Sequence, residues 1–235
     1  MAVMATAAAS PYRLKDSPYS SHSLLLASLP SSGEGRRVLD VGCAGGYLSA
    51  ILASRGYRVT GIDSPGAPPR AGAPDSIEYL EADLDLGLPP LSGRFDFAIC
   101  ADVLEHLRRP ELLLRELRTI LSTGGRLAAS LPNSGHAYFR WKVLTGSFPA
   151  DDRGLFDRTH LHFYTLRGWL DLFHATGFRV ETLRSSGVPI GLALPKWEGS
   201  AAVRALERMS YESARWWKKM FAYQFIVTAA PEIEP

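Results

Sequence analysis

The 235-residue sequence has almost no excess of one charge: 26 Lys and Arg stand against 24 Asp and Glu. A chain that tracks a nucleic-acid backbone usually carries a strongly basic balance. Nucleic acid is therefore not the expected partner, and only a local basic patch would restore it. Cysteine is nearly missing. Cys43 and Cys100 both stand in apolar strand-end contexts. Two such thiols form neither a disulfide framework nor a metal-type pair, which suits a reducing, cytoplasmic setting. No apolar run reaches the roughly 18 residues of a spanning helix, and the start "MAVMATAAASPYR" lacks a basic n-region and a long apolar core. Membrane spanning and export are not expected. Internal repeats and low-complexity tracts are also absent.

What is present is alternation. "RRVLDV" reads as a strand, "GYLSAILASRG" as a helix, "YRVTGID" as a strand, and "SIEYLEAD" and "RFDFAICADV" as two more. "RPELLLRELRTIL" places leucines at helical spacing and "GGRLAASLP" follows as a strand. Strand and helix in this rhythm mean parallel βαβ units, hence an α/β fold. Residues 1–15 read as a loose tail and 16–235 as a single domain, with "SSHSLLLASLP" as a short helix near its start. Past Pro132 the rhythm breaks into a long aromatic stretch. Residues 132–164 are therefore expected to form a lid and acceptor wall, since a long connection inside a compact domain usually has a function. The helix "LRGWLDLFHATG" then resumes the pattern, and "FRVETLRSSG" and "FAYQFIVTAAP" are the last strands. A helical insert, about 188–220, lies between them.

The loop in "VLDVGCAGGYLSAIL" leads from a strand end into a helix. A dinucleotide fingerprint needs G-x-G-x-x-G, but counting from Gly42 puts Ala44 and Tyr47 where its second and third glycines belong. A P-loop needs Gly-Lys-Ser/Thr, and Gly46 is followed by Tyr47 and Leu48. A phosphate ligand is thus disfavoured. Asp40 at the strand end would repel pyrophosphate and suit an ammonium-bearing ligand, and Asp63, ending the next strand, is well placed for ribose hydroxyls. Two simpler readings stand beside these: Asp63 begins the turn "DSPG", and Asp83 caps the turn after its strand.

These motifs, in this order, resemble the class I S-adenosylmethionine-dependent methyltransferases over roughly Val38 to Pro231. The resemblance implies a Rossmann-like, seven-stranded, mostly parallel sheet with a C-terminal antiparallel strand and helices on both faces. It implies S-adenosyl-L-methionine as cofactor, with S-adenosyl-L-homocysteine as product. It assigns the methionine part to the loop Gly42 to Gly46, with Gly42, Cys43, Ala44 and Gly45 and the nearby Asp40 as cofactor-binding residues, the ribose to Asp63 with Ser64 alongside, and the adenine amino group to Asp83 beside Leu84. Cys100 and Ala101, at the strand end within "FDFAICADVLEHL", would lie beneath the methyl donor.

Methyl transfer from a sulfonium needs alignment and, for a hydroxyl acceptor, a base. The candidates are His106 in "ADVLEHL" and His160 and His162 in "FDRTHLHFYT". Histidine titrates near neutral pH. Alternation in "THLHFYT" would put His160 and His162 on one side of an extended segment. The bland alternatives are a His106 ring fixed by its neighbours and insert histidines bonded to backbone. Asp102-x-x-Glu105-His106 is similar to the acidic-x-x-Glu-His cation motif of ubiquinone-pathway O-methyltransferases and small-RNA 2′-O-methyltransferases, with the first acid one carbon shorter. Asp102, Glu105 and His106, joined by His160 or His162, are thus candidate ligands for a divalent metal, which is not the favoured expectation.

The acceptor expected is a small molecule, a hydroxyl of a sugar or of a phenolic or polyketide-like scaffold. The weaker likeness of "SSHS", "DRTHLHFYT" and the chain end to bacterial polysaccharide and secondary-metabolite methyltransferases supports it, as do the insert aromatics Tyr138, Phe139, Trp141, Phe148, Phe156, Phe163 and Tyr164, which suit stacking on a ring. Nucleic-acid methylation, a lipid-linked substrate and a non-catalytic S-adenosylmethionine-binding protein are the alternatives; the "NPPY"-type motif of base-amino methyltransferases is missing. "RALERMSYESARWWKKMF" combines Trp216 and Trp217 with Lys218 and Lys219. Its preferred reading packs the tryptophans on the sheet, with peripheral membrane contact or a homodimer contact as alternatives.

Overall fold

In the computed structural model, residues 17–66 and 77–232 are described. The tail reading of 1–15 and most of the Pro/Gly-rich loop after Asp63 lie outside them. Apolar, β-branched runs make the strands. β1 (Arg37–Val41) leads through α2 (Tyr47–Ser54) to β2 (Arg58–Asp63), then to β3 (Ile77–Glu81) and β4 (Phe95–Ala101). The short α1 (Ser21–Leu26) precedes them, capped by the Ser20 hydroxyl, which accepts from Ser23 N. α3 (Pro110–Ile120) starts at a proline whose missing N–H costs nothing there and buries Leu113, Leu114 and Leu117. β5 (Leu121–Pro132) follows directly.

The sheet order is β3-β2-β1-β4-β5, then β7 (Gln224–Pro231) and β6 (Phe178–Ser185). β7 alone runs antiparallel to its neighbours. The two faces separate with the period of two that strands impose. Leu39 and Val41 join one core with α3 and with α5 (Leu166–Ala175), whose Trp169 and Phe173 are fully buried. Val38 joins the opposite core, with Leu24, Leu25, Leu48 and Leu52 of α1 and α2. The sheet thus carries helices on both faces. The order of strand addition reverses between the parallel β1 and β4, where crevice ligands of such sheets bind. Register keeps the rim level: Val41 pairs with Cys100, Ala101 with Ser130, and Asp63 with Glu81.

Two features differ from expectation. The stretch 132–164, read as irregular, contains α4 (Ala137–Leu144), whose N-cap His136 accepts from Tyr138 N. Only Phe139 of this helix is buried, so no amphipathic period announces it. Its partners are Phe156, stacked at 4.5 Å, and Leu155, rather than the sheet. The second insert forms α6 (Ile190–Ala193), a 3-10 turn at Pro195–Trp197, α7 (Ala201–Trp216) and α8 (Lys218–Phe221). α7 turns Val203, Glu207 and Ala214 inward, while Trp216 and Trp217 point away, 81% and 48% exposed. This corrects the expectation that they pack on the sheet. No helix among the described residues is long and apolar enough to cross a membrane.

Candidate functional site

The glycine loop leaves β1 through left-handed residues at alternate positions: Gly42 (φ 67°), Ala44 (φ 45°) and Gly46 (φ 73°). Gly42 and Cys43 both donate to Ile62 O, which ties the loop to β2. A Cβ at Gly42 would run into Val103, and one at Gly46 into the Tyr79 hydroxyl, so both need glycine for space as well as for φ. A Cβ at Gly45 meets nothing within 4 Å. The loop is therefore open on that side, where a ligand backbone can approach.

Asp63 holds this conformation. Its Oδ2 accepts from Ala44 N at 2.5 Å, and its Oδ1 accepts from Ser64 N (2.7 Å) and Ser64 Oγ (3.2 Å). Asp40 is buried and accepts from Ser49 Oγ of α2 at 2.6 Å. Asp83 is exposed, and its Oδ1 accepts from Asp85 N at 3.0 Å; Leu84 packs against the core under the rim. Cys43 is buried beneath the loop. Cys100 is also buried, and its thiol is pushed up by burial, then by the Asp40 and Glu105 carboxylates. A nucleophilic thiolate at Cys100 is thereby excluded. Ala101 ends β4, level with Ser130. His22 of α1 lies 3.3 Å from the Tyr47 hydroxyl, behind the loop, a contact no sequence motif signals.

Beyond β4 the chain turns through Asp102, a non-glycine at φ 57°. The strain is compensated locally. Ser130 Oγ accepts from Asp102 N (3.0 Å) and donates to Asp102 Oδ1 (2.5 Å), and Gln224 Nε2 donates to the same oxygen at 2.6 Å. Ser130 and Gln224 come from β5 and β7, and only the sheet order reveals them. Asp102 is therefore turned toward the sheet. Among the described residues, the cluster with metal-ligating geometry is Glu105, His106 and His160, their ligand atoms all within 4.8 Å of one another. Asp102 is not part of it, which corrects the ligand set read from the motif.

The three histidines part company. His162 Nε2 donates to Leu107 O at 2.9 Å and its ring stacks on Tyr164, centroids 5.2 Å apart. His160 lies instead against Glu105 (Nε2 to Oε1 4.0 Å) and edge-on to His106 at 4.8 Å. Burial, then the His106 charge, lowers His160 to about 4, so at neutral pH it is an uncharged ring and a weak base. His106 is held by the insert. Thr159 Oγ1 donates to the buried Asp157 Oδ1 at 2.6 Å, leaving its lone pairs for His106 Nδ1 at 3.0 Å; Thr159 O lies 3.2 Å from the same nitrogen. A carbonyl can only accept, so in the neutral ring the proton sits on Nδ1 and the lone pair on Nε2. Thr159 was not among the residues singled out from the sequence. Nearby, Tyr223 is pushed up to about 12 by burial and the Asp102 charge, and burial lowers His136 to about 4.

Of the insert aromatics, Phe139 and Phe156 stack on each other, and Phe163, packed against Phe139 and Phe148, keeps 37% of its surface exposed with its ring 6.1 Å from that of His160. A separate cavity of about 290 Å³ opens between Ser17–Ser20 and the insert that contains Val188, Leu192 and Glu207. None of the residues discussed above as candidate ligands or bases lines it.

A family model described as a methyltransferase domain matches residues 13–183. The chain belongs to this methyltransferase family. Among curated relatives it is 30% identical over 120 residues to a ubiquinone biosynthesis O-methyltransferase of Pseudomonas aeruginosa, a match covering 48% of this chain and 52% of the relative. The chain thus spans about half the length of the curated relatives it matches. Among solved structures, an S-adenosylmethionine-dependent methyltransferase from Mesorhizobium loti is 24% identical with TM-score 0.60, covering 89% of this chain and 97% of that one. The [4+2]-cyclase SpnF is 20% identical with TM-score 0.61, covering 91% and 80%. At these identities the likeness concerns the fold, and SpnF's description as a cyclase means the fold by itself does not fix the reaction.

Proposed function

We propose that this methyltransferase transfers the methyl group of S-adenosylmethionine to a hydroxyl of a small-molecule acceptor, with His106 Nε2 as the general base. The observation that carries the base is the Asp157–Thr159–His106 chain, which fixes the tautomer with its lone pair at Nε2. The cofactor reading rests on family membership and on a loop that is open at Gly45 and anchored at Ala44 by Asp63. S-adenosylmethionine supplies an electrophilic methyl on a sulfonium whose leaving thioether takes no proton. The protein's part is to align the acceptor oxygen, remove its proton to His106 and exclude water. General-base assistance is worth about 10² to 10⁴ in rate.

His160, kept neutral by burial, adds no positive charge beside a His106 that must accept a proton. Exposed Phe163 offers a face for a ring or sugar. A second reading is favoured by the Glu105, His106 and His160 cluster. These side chains would hold a divalent cation of nitrogen-accepting type and so lower the pKa of an acceptor hydroxyl. Metal bonds of about 2.0–2.2 Å in tetrahedral geometry set ligand atoms about 3.4 Å apart, so the widest pair of the cluster, within 4.8 Å here, would have to close by more than about 1 Å.

The deciding experiment couples S-adenosylhomocysteine release, over a panel of hydroxylated acceptors, with calorimetric binding of S-adenosylhomocysteine. His106→Ala should lower kcat by about 10² or more at unchanged affinity. Undiminished turnover in that variant refutes the base. Activity lost on chelation and restored by manganese selects the second reading.

A further inference from the structure

We propose that the face formed by the two inserts docks on an anionic lipid bilayer through Trp141, Trp197, Trp216 and Trp217. The chain has five tryptophans. Trp169 is fully buried, and the other four are 57%, 64%, 81% and 48% exposed. Apart from Leu86, every large apolar residue exposed among the described residues lies within 138–163 or 194–217. These stretches leave the carboxyl ends of β5 and β6, the same rim as the candidate site. They also adjoin. Asn133, at the exit of β5, donates its side-chain amide to Ala222 O at 2.8 Å, just after α8.

The choice of lipid rests on lysine. There are five lysines, and Lys15 lies outside the described residues. Each of the other four stands beside an exposed tryptophan. Lys142 Nζ lies 5.3 Å from the Trp141 ring, Lys196 precedes Trp197, and Lys218 and Lys219 follow Trp217. Protein–protein interfaces enrich tryptophan but deplete lysine. Bilayer interfaces want both: an amphipathic indole at headgroup depth, and an ammonium on a long stem that reaches the phosphates. The charge agrees. Residues 138–163 and 194–219 together carry ten Lys and Arg against six Asp and Glu, a balance of +4 in a chain whose net charge is only +2. The rest of the chain is therefore net acidic. A second copy set against this face would oppose like charges, whereas anionic headgroups neutralise them.

Docking there would hold the rim of the candidate site, with Phe148, Leu161 and Phe163, against the bilayer. The docking itself does not rest on the methyl-transfer reading and is measured without turnover. The full chain is sedimented with phosphatidylcholine vesicles with and without phosphatidylglycerol, and tryptophan emission is followed. Expected are binding to the phosphatidylglycerol vesicles, weakened by salt, and a blue shift arising from the exposed indoles. Lys218→Gln with Lys219→Gln should weaken binding about 30-fold, from about fivefold per lysine. Trp216→Ser with Trp217→Ser should remove most of the shift. Both variants alter exposed side chains, so an unchanged unfolding temperature certifies the fold. The proposal is overturned by failure to sediment at low salt, by wild-type binding in the lysine variant, by a dimer that hides these tryptophans and ignores vesicles, or by binding to single-stranded RNA alone.

Discussion

Asp63→Asn tests the glycine loop most directly. The aspartate uses both oxygens at once, Oδ2 for Ala44 N and Oδ1 for Ser64 N and Oγ. An asparagine has one acceptor, so one of the two backbone donors must face an amide NH₂. Losing a hydrogen bond to a charged acceptor costs about 1.5–3 kcal/mol. Ala44 stands in the left-handed region at φ 45°, which an L-residue occupies at a cost of about 1–2 kcal/mol, so a loop deprived of its anchor relaxes away from the ligand-binding shape. The ribose contact proposed for the same carboxylate would weaken as well. Affinity for S-adenosylhomocysteine, measured by calorimetry, should fall by about 30-fold, the equivalent of about 2 kcal/mol. Ser64→Ala removes only an exposed hydroxyl at 3.2 Å and should stay within about threefold, since exposed contacts contribute little. Asn-variant affinity within threefold of wild type, in a protein that unfolds at the wild-type temperature, would refute the anchoring argument.

Thr159→Val removes Oγ1 and leaves Thr159 O as the acceptor of the His106 Nδ1 proton. Its kcat should fall about tenfold with KM unchanged, by the ~1.4 kcal/mol scale of one hydrogen bond; a pure rise in KM would make Thr159 a substrate contact instead. Stability should also depend on acid. Burial lowers His160 and His136 to about 4 in the folded chain, against about 6.5 for a free imidazole, so between those values the unfolded chain binds more protons. Stability is then full above pH 6.5 and declines as pH falls toward 4, by about 2 kcal/mol for each ring after allowance for solvent screening. Thermal melts from pH 7 to 5 measure the slope, and His160→Gln should flatten it; a midpoint that does not move over that range rejects buried neutral histidines.

The loop from Gly42 to Gly46, Asp63 and the end of β4 are legible in sequence because period-two runs and glycine punctuation fix where parallel strands stop. Strand ends that stop level bring their loops together with no further information. Asp102 could not be placed this way. Its spacing to Glu105 and His106 suggests one ligand set, but its orientation depends on Ser130 and Gln224, and Gln224 comes 122 residues later. α4 was illegible for a different reason. It buries one residue against the insert itself, so the apolar pattern that marks a sheet-packed helix never forms. The tryptophans of α7 show the limit of composition: an aromatic pair is ordinarily core, and only the position of Val203, Glu207 and Ala214 reveals which side faces inward.

β7 occupies the slot between β5 and β6, so the sheet is completed out of chain order. During synthesis β6 emerges with no neighbour to join. Its only sheet partner among the described strands, residues 224–231, has yet to be made. At ~5–20 residues per second, translation from Ser185 to Pro231 takes roughly 2 to 9 s. Throughout that interval β5 offers an open edge along Leu127–Pro132, and a ribosome paused there holds a nascent chain able to pair with its neighbours. β7 thus sets the timing of biosynthesis as well as the width of the sheet, and slow codons between Pro132 and Gln224 should raise aggregation more than slow codons before β5.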